Sequence, residues 1–282
     1  MGFLGPNGAG KTTTLKLFTD LIRPSGGHAR INGADVHTAK KKALARVGTV
    51  IETPEIYSAL TPREGLSLIC AHRGVPKEDR KKKIEEALEE VKMGEWIDKR
   101  TGKFSKGMKQ RVNVASALLG DPNVLLLDEP TTGLDPRGMS EVRDIVKTLK
   151  ARDRLIFMSS HLLAEVSEVC DEVAMIDHGK LLVYDTISNV TSKFSKGGNT
   201  VDVGLNRALP AGLLEGEIAS IANVSSAHKM DERNVRITFT GGLDSQEKIL
   251  AALMRLNIGV VSYRPAVSAL EDVYLDLIKE TL

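Results

Sequence analysis

The run Gly5-Pro6-Asn7-Gly8-Ala9-Gly10-Lys11-Thr12-Thr13 fits the pattern GxxxxGK[ST]. Glycines at this spacing let the backbone wrap a phosphate chain with its N–H groups turned inward. Lys11 is placed to reach the β and γ phosphates of a nucleotide, and the Thr12 hydroxyl to bind Mg2+. Met1 to Leu4 is a short apolar strand before the loop, and Lys11 to Leu21 reads as a helix whose positive N-terminal end favours the same anion. A second motif supplies carboxylates. Val124 to Leu127 is an unbroken apolar run, the pattern of a strand buried on both faces of a parallel sheet, and Asp128-Glu129-Pro130 follows it. Carboxylates there lie at the ligand edge of the sheet. Asp128 is a candidate holder of Mg2+, directly or through water. Glu129 is a candidate general base for an attacking water, an effect of typically about 10²–10⁴-fold.

At this point the chain resembles the ATP-binding cassette ATPases, the nucleotide-binding subunits of ABC transporters. Phe104-Ser105-Lys106-Gly107-Met108-Lys109-Gln110-Arg111 is similar to the family signature, commonly LSGGQ followed by QR, with Ser105 and Gly107 kept. Ser105 also suits the N-cap of the helix it opens, and Gly107 permits close backbone approach. The resemblance implies that Ser105, Gly107 and Met108 face ATP bound to a second subunit. Gly133-Leu134-Asp135-Pro136 resembles the D-loop, which crosses that dimer interface. Ser159-Ser160-His161 resembles the switch region, in which His161 would contact the γ-phosphate. The other histidines match no family element and read as surface or structural.

Two departures from the family follow. Glu52 stands where the family carries Gln, and the surrounding IETPEIY…LTPRE resembles the bacitracin-resistance and lantibiotic-immunity subgroup, in which Glu is seen. This makes Glu52 a candidate third Mg2+ ligand, responsive to a membrane partner. Only four residues precede Gly5, where the family has a few dozen that supply strands and an adenine-stacking aromatic residue. On that comparison the chain is expected to be without those strands. The expected loss is about the 1–3 kcal/mol that base–aromatic stacking is worth.

Elements must carry these motifs to one place. Short strands are predicted at Ile31 and Arg46 to Ile51. Thr61-Pro62-Arg63-Glu64 reads as a helix start with a capping box, the helix ending near His72. A second helix is expected from Pro76 to Val91, and a third from the signature to about Gly120. Beyond Leu127 the pattern predicts a helix over Arg137 to Ala151, a strand over Arg154 to Met158, a helix over Ser160 to Cys170 and a strand over Glu172 to Asp177. Strands alternating with helices argue for an α/β fold with a mostly parallel sheet. Ser192 to Asn199 reads as a linker. After it come strands at Thr200 to Leu205, Val235 to Thr240 and Ile258 to Ser262, with helices at Ser245 to Leu256 and Ala269 to Leu282, a small α+β tail for which a ferredoxin-like arrangement is a candidate. Its end, Leu270 to Leu275, resembles the C-terminal extension of drug, antibiotic-peptide and polysaccharide exporter ATPases.

Composition narrows the classes. Of the 282 residues 41% are hydrophobic and 27% charged, which argues against wholesale disorder. No run approaches the roughly 18–20 apolar residues of a membrane-spanning helix. The net charge of +2 and the 4% aromatic content argue against a nucleic-acid binder. Cys70 and Cys170 form no CxxC pattern and are expected as buried free thiols. Met1 to Leu4 runs straight into the loop, so no signal peptide is expected.

The expected fold is therefore α/β: a P-loop NTPase (RecA-like) ABC cassette over residues 1–190, with a helical subdomain at about 53–120 and an accessory α+β domain at 199–282. The implied function is ATP binding and hydrolysis that powers export of a drug or antibiotic peptide, with ATP and Mg2+ as cofactors. The expected partners are a second cassette and a separate membrane permease, at the cytoplasmic face of the membrane. A poorly hydrolysing regulatory or immunity cassette is the alternative.

Overall fold

The computed structural model describes residues 1–52, 57–152, 154–194, 199–210, 212–265 and 274. The chain divides into two units, Met1–Asp185 and Thr186–Leu282. In the first, β1 (Gly2–Leu4) leads through the glycine loop into α1 (Lys11–Phe18), followed by the hairpin of β2 (Arg30–Ile31) and β3 (Ala34–Asp35), α2 (Lys40–Leu44) and β4 (Val47–Val50). Three helices follow: α3 (Pro62–His72), α4 (Lys77–Glu90) and α5 (Lys106–Leu118). The chain then alternates β5 (Val124–Leu127), α6 (Pro136–Lys150), β6 (Leu155–Ser160), α7 (Leu163–Val169), β7 (Glu172–Asp177) and β8 (Lys180–Thr186).

The strands form one sheet in the order β4-β5-β6-β1-β7-β8. Neighbours from β4 to β7 pair in parallel. β7 and β8 are joined by the two-residue turn His178-Gly179, both at positive φ, a turn whose twist suits an antiparallel hairpin. Register decides what meets at the edge. Leu4 lies beside Ser160, Leu127 beside Met158, and Val50 beside Leu127. The residues just past these strands, Gly5, Asp128, His161 and Ile51-Glu52, are therefore delivered to the same C-terminal edge.

The apolar run of β5 is buried along its whole length, as its sequence predicts, because helices cover both faces. Leu125 and Leu127 join the cluster of Leu66, Leu88, Val112, Ala115, Ile145 and Leu149. Val124 and Leu126 point to the other side, with Leu15 and Phe157. Phe157 lies 5.3 Å from Phe3 and 5.6 Å from Phe18 between ring centroids, locking α1 onto β1 and β6. Each such side chain contributes roughly 1.5–3 kcal/mol on burial.

The capping box of α3 is formed: the Thr61 hydroxyl accepts from the Glu64 amide, and Glu64 accepts from the Thr61 amide at 2.8 Å. Several elements differ from the sequence pattern. α1 stops at Phe18, because Asp20 turns into the left-handed region at φ 54°. β6 continues to Ser160, so the following helix starts at Leu163 and ends at Val169. β8 has no apolar alternation to announce it, since it is a half-exposed edge strand. Cys70 is buried, whereas Cys170 is only half-buried.

The second unit starts with α8 (Ile187–Phe194), β9 (Asn199–Leu205) and a short π-helical turn at Leu214–Ile218. It continues through β10 (Val224–Lys229), β11 (Asn234–Phe239), α9 (Leu243–Arg255) and β12 (Val260–Pro265). Its sheet order is β10-β11-β9-β12, with all pairs antiparallel. That is the β-α-β-β-α-β arrangement of a ferredoxin-like fold, with the first helix reduced to the π turn. Val201, Val203, Val235, Ile237 and Phe239 form its core with Ile249 and Leu253 of α9. The sequence pattern misses β10, whose residues VSSAHK carry no apolar alternation. The helix expected over 269–282, the Leu270–Leu275 motif apart from Tyr274, residues 195–198 of the linker and residues 53–56 of the IETPEIY segment lie outside the described residues.

Candidate functional site

The glycine loop turns sharply because Gly8 and Gly10 take φ of 83° and 105°, a region that glycine enters without a Cβ clash. Gly5 is required for a different reason: a Cβ there would stand 2.3 Å from the Ile176 carbonyl oxygen. The loop is braced from inside, with the Ala9 amide donating to the Pro6 carbonyl and the Gly179 amide donating to the Ala9 carbonyl. Asn7, Gly8 and Thr13 face solvent. The first amides of α1 have no partner within the helix and form an anion-binding end.

Lys11 opens α1 and is only 4% exposed. Its ammonium donates to the carbonyls of Gly5 at 2.9 Å and Pro6 at 3.0 Å, and lies 3.1 Å from Glu129 Oε1. The Thr12 hydroxyl donates to Asp128 Oδ2 at 2.8 Å. Asp128 is buried, and its other oxygen accepts from the Ser159 hydroxyl at 2.6 Å. Ser159 Oγ in turn accepts from the Glu129 amide at 2.9 Å, so one serine ties the two acidic residues together.

Glu129 turns out of β5 with φ of 43°, a conformation uncommon for residues other than glycine. Its second oxygen accepts from the Thr132 hydroxyl at 2.8 Å and lies 3.1 Å from His161 Nδ1. Burial works to raise the Glu129 carboxyl, but Thr132, Lys11 and His161 outweigh it and hold it below the usual glutamate range. The group is thus an ionised carboxylate at neutral pH, as a general base must be.

The tertiary fold therefore brings Lys11, Thr12, Asp128, Glu129 and His161 into one bonded constellation. Ser105, Gly107 and Met108 are not part of it, although Lys106, Lys109 and Gln110 of the same motif line the cleft beside it. Ser105 Oγ caps its own helix by accepting from the Met108 amide at 3.2 Å. Gly107 packs on α6, where a Cβ would meet the Gly138 Cα at 3.3 Å. Met108 is half-buried against the helical core. Asp135 caps α6 by accepting from the Gly138 amide. Glu52 lines a cleft of about 730 Å³ together with Thr12, Asp128 and Glu129, but its carboxylate is held by Lys16 at 2.5 Å rather than by the Thr12–Asp128 pair. The expected third metal ligand thus belongs to a separate ion pair.

Three contributors carry no sequence signal of their own: Thr132, Lys16 and the bridging role of Ser159. Thr132 is three residues past Glu129 and Lys16 four past Thr12, spacings that become neighbours only once the turn and helix exist.

The donor set at Thr12 and Asp128 fits Mg2+. It offers one hydroxyl and one carboxylate, hard oxygen ligands 2.8 Å apart, on the rim of an open cleft. Magnesium is typically held by one or two carboxylates together with substrate phosphates and water.

Comparison with known proteins bears on the family and the fold. The ABC transporter family model matches residues 1–132. The chain is 36% identical over 282 residues to the ABC transporter ATP-binding protein YcbN of Bacillus subtilis, covering 98% of this chain and 87% of that protein. This chain belongs to the ABC transporter ATP-binding proteins. The cassette is also 46% identical over 182 residues to the bacitracin transport ATP-binding protein BcrA of Bacillus licheniformis, a match spanning 64% of this chain and 58% of BcrA. Its fold matches cbiO1 of Clostridium perfringens, part of the ABC transporter complex cbiONQ, at TM-score 0.62 and 28% identity over 68% of this chain and 78% of that one. Among the described residues of the cassette, no helix is long and apolar enough to cross a membrane.

Proposed function

We propose that this chain is the ATP-hydrolysing subunit of an ABC exporter that moves an antibiotic peptide or drug through a separate membrane permease. The observation that carries the chemistry is the constellation of Lys11, Thr12, Asp128, Glu129 and His161 at one sheet edge. The similarity to BcrA, a bacitracin transport protein, supports the class of cargo.

In this reading the loop amides and Lys11 hold the β and γ phosphates. For that, Lys11 exchanges its present contacts with the Gly5 and Pro6 carbonyls and Glu129 for phosphate oxygens. Thr12 and Asp128 would hold Mg2+, which would neutralise negative charge on the β and γ phosphates. Glu129, released from Lys11 but still held by Thr132, orients a water and takes its proton as the water oxygen bonds to Pγ and the bond to ADP breaks. His161 stays beside Glu129 and donates toward the γ-phosphate. Ser105 is exposed and Met108 half-buried at the signature helix start, while Gly107 is buried against α6; in this reading Ser105, Met108 and the backbone at Gly107 complete the site of a second cassette, identical or paired. Contacts made only in the closed pair let ATP shift the equilibrium toward closure. The pair would work at the cytoplasmic face of the membrane.

ATP hydrolysis with Mg2+ across protein concentration tests this. Specific activity is expected to rise with concentration, to vanish in Lys11→Ala, and to fall about 10²-fold or more in Glu129→Gln, with ATP binding kept in the latter. Turnover by Glu129→Gln equal to the parent would remove Glu129 from its role. Activity in Lys11→Ala would remove the phosphate-loop reading altogether.

A further inference from the structure

Nothing in the phosphate chemistry requires the ion pair between Lys16 and Glu52, 2.5 Å apart. Lys16 stands four residues after Thr12 on α1, so both side chains leave the same face of that helix. Glu52 lies two residues past β4, whose Val50 is in register with Leu127, and so is carried to the level of Asp128 and Glu129. Glu52 also takes φ of 60°, the left-handed region that favours glycine. The fold thus spends backbone strain to bring a third carboxylate into a cleft already lined by Asp128 and Glu129. Lys11 is committed to the loop carbonyls and Glu129. Lys106 and Lys109 line the cleft from α5, but the cation in contact with Glu52 is Lys16.

We propose that Lys16 is the positioning residue that makes a glutamate workable at this place. Paired with Lys16, the Glu52 carboxylate is neutralised beside the triphosphate and held away from the Thr12–Asp128 pair. An unpaired carboxylate there repels the phosphates and competes for the divalent cation. The inference rests on the nucleotide-binding reading above. The pair itself adds little to folding, because Glu52 is 66% exposed and exposed ion pairs are worth little. Its effect falls on ligand binding, where a like charge at close range acts on a bound polyanion.

The test is equilibrium binding of ADP and of the β,γ-imido analogue of ATP, each with Mg2+, to the full chain and to K16M, E52Q and K16M/E52Q. Melting temperatures without nucleotide are measured in parallel, and K11A serves as the loss-of-binding control. We expect K16M to bind the triphosphate analogue about tenfold more weakly. The double variant should return to within about twofold of E52Q, a non-additive cycle. All four melting temperatures should agree within about 2 °C. Parent-like binding by K16M would overturn the proposal. So would a double variant as weak as K16M, since Lys16 would then act on the nucleotide without Glu52. If the parent chain does not bind, or K11A binds as well as the parent, the nucleotide-binding reading itself fails and the proposal falls with it.

Discussion

At the residue scale, the decisive group is Glu129, held by three donors at once. Lys11 takes one oxygen, and Thr132 and His161 share the other. These partners hold its carboxyl below the usual glutamate range against the opposing effect of burial. The linkage has a definite sign. A carboxylate with a depressed folded-state pKa contributes stability above its unfolded pKa of about 4.3, and loses it as pH falls through the lower folded value. Thermal melts of the parent and Glu129→Gln between pH 3 and 7 should therefore differ by an amount that grows as pH rises through that region. A pH-independent difference would mean the ion pair with Lys11 is silent in solution. Lys11, Thr12, Asp128 and Glu129 were legible in sequence because motif spacing encodes them, and His161 because its segment resembles the family's switch region. Thr132 and Lys16 were not, because a threonine in a turn and a lysine in a helix are common and acquire meaning only from the atom they touch.

At the element scale, close packing sets how much change the site's supports tolerate. Gly48 of β4 lies so near α5 that a Cβ would stand 2.3 Å from the Ala117 carbonyl oxygen and 2.7 Å from Leu125 Cδ2. Gly48→Ala must separate the strand from the helix, at a cost of about 3 kcal/mol, near the upper end for overpacking. Urea denaturation would read this as a lowered midpoint, and a midpoint shift equivalent to under about 1 kcal/mol would show that strand and helix can part cheaply. Thr61→Ala removes the hydroxyl cap of α3 and one half of its capping box. The expected loss is about 1 kcal/mol, measurable in the same experiment. Both sites were readable to different degrees. Thr-Pro-Arg-Glu announces its cap in four letters, whereas the need for glycine at position 48 comes from a helix some seventy residues away. The signature helix shows the same limit. Ser105 as N-cap was legible, but the contact of Gly107 with Gly138 depends on how α5 and α6 meet.

At the scale of the whole molecule, each of the two units has buried apolar clusters of its own among the described residues, around β5 in the first and around β9 and β11 in the second. A single melting transition is therefore not expected, since multidomain chains depart from two-state behaviour. Only the unit holding Lys11 and Asp128 binds nucleotide in the proposed function. Saturating Mg·ATP should raise one calorimetric transition, by about 2.7 kcal/mol at a hundredfold excess over Kd, and leave the other in place. Equal shifts in both transitions would show that the units unfold as one.

The sequence by itself determined which residues compose the candidate site of the first unit and much of the order of its elements. Phosphate loops, buried parallel strands and helix caps are local devices, written in consecutive residues whose types and spacing have few other uses. It also announced the α+β character of the second unit, though not β10, whose pairing rests on backbone hydrogen bonds with no apolar alternation to mark it. What only the tertiary structure decided is which charges meet. Sheet register carries Glu52 to the level of Asp128, and the face of α1 that bears Thr12 also bears Lys16, so the glutamate pairs with that lysine rather than with Thr12 and Asp128. Distances of 2.5 to 3.1 Å between residues up to 118 positions apart are set by strand order and helix packing, which no local pattern encodes.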